Sequence, residues 1–474
     1  MRLLQLLFVI ILFACTILSG YSYEDYFTVE ALRIDFFEIG DKSGHKIVLD
    51  ELFRENRWSG NPEQLIDTLN MGHYLLQVFE LDKNDLIFSF GYSTLFKEWQ
   101  TTDEAITGNH KVLRSTLHIP FPQQKILLKF LTRDRENHFT DTLGSFVIDP
   151  ALVAINHENS AMGAEVIELE INGPSTHKVD LLFVAEGYTA LEREKFEQDL
   201  IRMRDILFRI EPFKSEQQSF NIRGIFYPSR ESGIDEPTKD IFKNTALNFT
   251  FNMFGSHRYL MVYDPKRLHD ISTAAPRDAL IVLINSAVYG GGGIYNCYAT
   301  VAVDNGYASN ILVHELGHSF GGLGDEYYTT DIAYNEFYPT DVEPWEPNLT
   351  IQTNLETLKW AHHVTAGIEI PTAWNKFEYD EMNTKYYEKV GELGSSNAST
   401  EKREKLRKDY TEKTRLFFEQ HALIGKIGAF EGGGYNFTGM YRPSLECLMF
   451  SNRQLNFDGV CLEALQKRIK FLSQ

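Results

Sequence analysis

The sequence predicts an α/β (α+β) domain preceded by an antiparallel β-sandwich. Three observations predict it. From about residue 26 to 150 the chain reads as short apolar or alternating runs divided by turn residues, a sandwich pattern. Beyond a small, polar stretch at 156–164 (HENSAMGAE), the rhythm changes to buried strands and an amphipathic helix. Within that second half, residues 314–326 read HELGHSFGGLGDE, and two histidines four apart belong on one helical face.

A chain of 474 residues carries two or three domains, and 43% hydrophobic residues suffice for large buried cores. The formal net charge of −20 repels phosphate backbones and anionic lipid, which speaks against nucleic-acid and membrane-surface binding. The chain begins MRLLQLLFVIILFACTILSGYS, an arginine, an apolar run and then small or polar residues. That is the layout of a signal peptide over 1–22, cut after Ser22, and implies a secreted or cell-envelope protein. Lipidation at Cys15 is the rival reading, although Phe13 is bulky and TIL follows where a polar tether is usual. An uncleaved anchor is a third. Only Cys297, Cys447 and Cys461 remain beyond the signal, too few for a disulfide framework. Cys447 and Cys461 either pair or stay as separate buried thiols.

The first domain, 23–155, contains LRIDFF, HYLLQVFEL, DLIFSFGY, STLHIPF and KILLKFLT as strands, with no catalytic constellation among them. After the linker at 156–164, the second domain covers 165–474. VDLLFVAEGYT supplies a buried strand, and Thr189 with Glu192 forms a capping box. Phe196, Leu200, Met203, Leu207 and Ile210 then make an apolar stripe at helical spacing. FNIRGIFYPS, YLMVYD, ALIVLINS and the run ending at Val303 read as further strands. Residues 383–420 form a charged helical insertion, read as a solvated face without chemistry.

His314 and His318, at i and i+4, can both reach one Zn²⁺ at roughly 2.0–2.1 Å. Glu315 projects beside the metal, where it can take a proton from water. Ile311, Leu312, Leu316 and Phe320 place the motif on a helix, with Ser309 as a candidate N-cap. HExxH alone arises in roughly one of thirty chains this long, so the flanking residues matter. Gly321 and Gly322 can end the helix in a left-handed turn. The position six after His318 is Gly324, which has no side chain to bind with. Asp325 and Glu326 follow, and either carboxylate can be the third ligand. Downstream, EGGGYNFTGMYRPSLECLMFSN carries Met449 in a tight turn, either a floor beneath the histidines or core filler.

HELGHSFGGLGDEY, VDLLFVAEGYT, FNIRGIFYPSRESGIDEP and YRPSLECLM together resemble the IgA-peptidase family of secreted zinc metallopeptidases. Its signature, HExxHxxGxxxDE, is matched by His314, Glu315, His318, Gly321, Asp325 and Glu326. The resemblance covers most of residues 165 to 474 and implies a metzincin-like fold, Zn²⁺, peptide-bond hydrolysis and Met449 as the Met-turn residue. It does not carry the substrate.

The expectation is a secreted zinc endopeptidase acting on a peptide or protein. His314, His318 and Asp325 (alternatively Glu326) hold the ion, Glu315 is the general base, and Tyr435 or Tyr441 offers a hydroxyl to the oxyanion. Asp325 is preferred because a short side chain suits a loop that has already returned to the metal. Two rivals stand beside it: a zinc amidase or deacetylase acting on cell-wall material, and a binding protein with a vestigial metal site.

Overall fold

The computed structural model describes residues 22–152, 154–158, 160–329, 337–395 and 400–474. The stretch 1–22 that reads as a signal peptide, with Cys15, lies outside the described residues apart from Ser22.

The N-terminal half is built on two four-stranded sheets. Strands β1 (Phe27–Asp41), β2 (Gly44–Glu55), β3 (Tyr74–Glu80), β4 (Leu86–Tyr92), β5 (Lys111–Pro122), β6 (Ile126–Arg133), β7 (Phe139–Ile148) and β8 (Ile155–Asn156) are arranged as β5-β1-β2-β8 and β4-β3-β6-β7. Pairing is antiparallel except for the two-residue β8, which runs parallel to β2. One core takes Leu32, Ile34 and Phe36 from the first sheet and Tyr74, Leu76, Val78, Leu128 and Phe130 from the second. Strand β3 shows the cause, since its inward and outward residues alternate as the pleat requires.

Strand β1 breaks that alternation, and the reason is contact with the second half. Ala31 to Phe36 are all buried. The residues on the other face, Arg33 and Asp35, pair with each other at 2.6 Å, and Arg33 also reaches Asp270 at 2.8 Å. Arg277 binds Glu55 at 3.0 Å across the same seam. Burial opposes ionisation of Glu55, but Arg277, His118 and Arg33 outweigh it and hold the carboxyl down to about 2.

The second half is organised by a six-stranded mixed sheet of β9 (Glu165–Glu170), β10 (Val179–Glu186), β11 (Phe220–Phe226), β12 (Ala279–Ile284), β13 (Gly291–Ile294) and β14 (Tyr298–Ala302), in the order β13-β14-β12-β10-β11-β9. The four inner strands are parallel, and the two edges, β13 and β9, are antiparallel. All eight residues of β10 are buried, as a central parallel strand covered on both faces requires. Leu181, Phe183 and Ala185 enter one core and Leu182 and Val184 the other. The first core also takes the helix Arg193–Leu207, entered through the Thr189–Glu192 capping box. The second core extends into the N-terminal half through Phe96, Trp99 and Leu113.

The helix Ala308–Ser319 packs on β13 and β14. Ile311, Leu312, Val313 and Leu316 are buried on it, each contributing roughly 1.5–3 kcal/mol of transfer free energy. Ser309 lies inside this helix rather than capping it. Asn305 holds the entry instead, accepting the Tyr307 N–H at 2.8 Å. A small hairpin of β15 (Phe430–Gly433) and β16 (Asn436–Arg442) precedes the segment carrying Met449, and the helix Gly459–Ser473 closes the chain. The charge-rich run lies in two helices, Lys376–Ser395 and Thr400–Glu419, the first beginning before that run. Their apolar residues Tyr379 and Phe418 join the main core.

Candidate metal centre

The helix Ala308–Ser319 presents His314, Glu315 and His318 to a cavity of about 300 Å³ between the two halves of the molecule. Gly322 takes a φ of +63° immediately after the helix and turns the chain back. The N–H groups of Gly322 and Leu323 bond to the carbonyls of His318 and Gly317 at 3.1 and 2.9 Å. Beyond that turn, Leu323, Asp325, Tyr327 and Thr329 line the cavity, whereas Glu326 and Tyr328 are buried in the protein behind it. This period of two sends one of the adjacent acids to the histidines and the other away.

The three donor atoms meet closely. His314 Nε2 lies 3.0 Å and His318 Nε2 3.2 Å from Asp325 Oδ1, and the two nitrogens are 3.1 Å apart. Ligands at 2.0–2.1 Å on a tetrahedral ion stand about 3.3 Å from each other, so the triangle fits Zn²⁺. Both Nδ1 atoms face backbone carbonyls, Leu448 O for His314 (3.2 Å) and Leu323 O for His318 (2.6 Å), which turns each Nε2 inward. Asp325 Oδ1 is buried and faces the two imidazoles without accepting a hydrogen bond from elsewhere. A cation held by the two imidazoles would satisfy that oxygen. Its other oxygen accepts the Tyr435 hydroxyl.

Charge in the cluster follows from burial and proximity. Burial opposes ionisation of Asp325, yet His318 and His314 hold its carboxyl well below the usual range. Burial likewise disfavours a charged His318, but Asp325 and Glu315 push it up to about 9. Burial raises Glu315, and the two histidines partly offset the rise. A carboxylate held up in this way is suited to accept a proton.

Met449 lies fully buried beneath the motif. A Cβ at Gly317 would sit 2.6 Å from its sulfur, so the glycine inside HELGH is what admits the methionine. The Met449 carbonyl also accepts the Glu326 N–H at 3.0 Å. Tyr441 is elsewhere, paired through its backbone with Thr350 and packed near Trp360. Of the two tyrosines, Tyr435 is the one at the site.

Other cavity groups were not legible in the motif. Arg258 donates to the Tyr327 hydroxyl at 3.1 Å, with its guanidinium 5.4 Å from that ring. No carboxylate lies within ion-pair distance of it among the described residues. His73 and Glu98 reach the cavity from the N-terminal half, and Tyr387 and Tyr410 from the charge-rich helices. No spacing ties these residues to HExxH, and nothing in the sequence flags them.

No curated protein matches the chain. Two family models do: one described as IgA Peptidase M64 over residues 167–469, and one described as Peptidase M64 N-terminus over residues 22–143. No helix among the described residues is long and apolar enough to cross a membrane. With a family model spanning most of its length, and inside that span three side chains placed so that they could hold a metal ion, the chain belongs to the IgA peptidase M64 family and is a peptidase of the metallopeptidase class.

Proposed function

We propose that this protein is a secreted, zinc-dependent endopeptidase in which His314, His318 and Asp325 hold the ion and Glu315 is the general base. The observation that carries the reading is the triangle of two imidazole nitrogens and one otherwise unpartnered carboxylate oxygen, with Glu315 beside it in the cavity. When bound, Zn²⁺ supplies Lewis acidity toward the scissile carbonyl and makes water acidic near neutrality.

The protein's residues do the rest. Glu315 takes the proton from water and returns it to the leaving amine. The Leu448 and Leu323 carbonyls fix the ring orientations, and Tyr435 steadies Asp325 from the side away from the histidines. Tyr435 spends its hydroxyl on Asp325, so Arg258 is the better donor to a developing oxyanion. Met449 serves as the packed floor of a metzincin-like site.

The N-terminal domain, 23–155, is a β-sandwich joined through 156–164 to the peptidase domain at 165–474. It bounds the substrate cleft as well as packing against it. Secretion rests on the signal layout of 1–22. Intact Glu315 argues against a vestigial site, which has no use for a base.

The test is hydrolysis of a diverse peptide mixture by the purified protein with and without a chelator, beside Glu315→Ala. The variant should keep the wild-type metal content and lose activity by about 10²–10⁴-fold, because it removes the base and no ligand. Cleavage by Glu315→Ala at a near wild-type rate would refute the assigned mechanism.

A further inference from the structure

Behind the cavity, a second set of metal-capable side chains converges. One ligand atom each from Glu326, Cys447, Asp458 and Cys461 lie within 4.8 Å of one another. The two sulfurs are 3.7 Å apart, and Cys461 Sγ is 3.3 Å from Glu326 Oε1. On a tetrahedral zinc with sulfur at about 2.3 Å and oxygen at about 2.0–2.2 Å, two sulfurs stand about 3.8 Å apart, and sulfur and oxygen about 3.5 Å. A disulfide needs its sulfurs at about 2.05 Å. The spacing excludes a disulfide and matches ligands on one ion, and the same distances let the Cys447 thiol donate to Cys461 and the Cys461 thiol donate to Glu326 Oε1.

Burial points the same way. Glu326 and Cys461 are fully buried and Cys447 is 1% exposed. Glu326 Oε1 accepts from Asn348 Nδ2 at 2.9 Å, but Oε2 has no partner, and an unpartnered buried oxygen is costly. The Asp458 N–H points at Cys447 Sγ at 3.5 Å. Asp458 Oδ1 caps the helix Gly459–Ser473 through Val460 N and Cys461 N, and Oδ2 accepts the Ser444 hydroxyl at 3.1 Å. Ligand carboxylates are commonly held by such outer contacts. Two sulfurs and two oxygens with no open position suit a structural ion, and thiolate ligands select zinc over calcium or magnesium.

We propose that Glu326, Cys447, Asp458 and Cys461 bind a second, structural zinc ion. It joins three segments that must stay in register: Glu326 follows Asp325, Cys447 stands two residues before Met449, and Asp458 and Cys461 open the last helix. The ion thereby fastens the cavity loop and the methionine floor to the body of the protein.

Full-length protein purified under reducing conditions and passed over chelating resin should carry two zinc ions per chain by mass spectrometry. Cys447→Ser/Cys461→Ser should carry one. Cobalt reconstitution separates the two sites without requiring that variant to fold, because the cavity site has no sulfur ligand. A sulfur-to-cobalt charge-transfer band in the near ultraviolet should appear in the wild type and persist in His314→Ala. Denatured in chelator, Cys447 and Cys461 should both react as free thiols. One zinc per wild-type chain, a cobalt spectrum without that band, or a Cys447–Cys461 disulfide would each overturn the proposal.

Discussion

The two sides of one short segment differ more than its sequence suggests. Asp325 and Tyr327 face a solvent-connected cavity lined by nitrogen and oxygen donors, whereas Glu326 and Tyr328 face a closed interior with sulfur nearby. The residues alternate with a period of two once Gly322 has turned the chain, as neighbours in an extended segment do. Two consecutive acids thereby acquire unrelated surroundings. The two acids of the DE pair thus stand on opposite sides of one backbone, Asp325 against the histidines and Glu326 buried behind them.

The largest effect should come from breaking the cavity side. Asp325→Ala removes the only carboxylate oxygen within reach of both Nε2 atoms among the described residues, and should abolish retention of the cavity metal together with hydrolysis. Glu326→Ala should keep the cavity metal, weakened by no more than about 10–100-fold, as expected for a group outside the ligand set. Competition with a chelator, followed through activity, reads both. The reverse ranking would place the third ligand at Glu326 and dissolve the alternation.

Much of this was legible in the sequence, for identifiable reasons. HExxH sits on a helix whose apolar residues repeat with the helical period, and β10 is a continuous apolar run as a doubly covered strand must be. Which acid turns to the histidines was a matter of reach in the sequence, and in the structure it follows from the phase of the chain after Gly322. Cleft residues from distant segments, such as Arg258, His73 and Glu98, carry no local signal. The charged run at 383–420 read as a solvated face, yet Tyr387 and Tyr410 from it border the cavity. Periodicity reports the dominant face of a helix and misses a minority of residues serving another surface. Ser309 failed as a cap because the helix already begins at Ala308, which places it inside the first turn.

A carboxylate on the cavity wall sharpens the contrast through pH. Burial raises Glu346 to about 7, with one oxygen accepting the Tyr338 hydroxyl at 3.1 Å and the other unpartnered. The folded state holds this proton more tightly than the unfolded chain does. Stability is therefore lost as pH rises from the ordinary carboxyl range to about 7, and the full loss is present above that. Glu346→Gln keeps an acceptor for Tyr338 and removes the titration. At pH 8 it should be more stable than the wild type by up to about 3 kcal/mol, and at pH 4 the gap should close. Denaturant unfolding at both values measures it, and a gap that does not change with pH would show that Glu346 is ionised without penalty.

The smallest effect is expected where the two sides meet, at Met449. Its sulfur lies under Gly317 with no room for a Cβ between them, and its carbonyl holds the Glu326 N–H. The carbonyl contact is indifferent to the side chain, so a substitution there tests packing alone. Leucine nearly conserves the volume but places its branch closer to the backbone, away from the gap beneath Gly317. Such swaps typically cost under about 1.5 kcal/mol, whereas truncation to alanine leaves a void worth about 2–5 kcal/mol. Met449→Leu should therefore keep its zinc and most of its activity, with a modest fall in melting temperature, and Met449→Ala should lose more of each. Metal content beside thermal unfolding separates the outcomes. If the leucine variant lost the cavity zinc while remaining folded, the thioether would be contributing to the site by its chemistry, and the floor could not be described as packing.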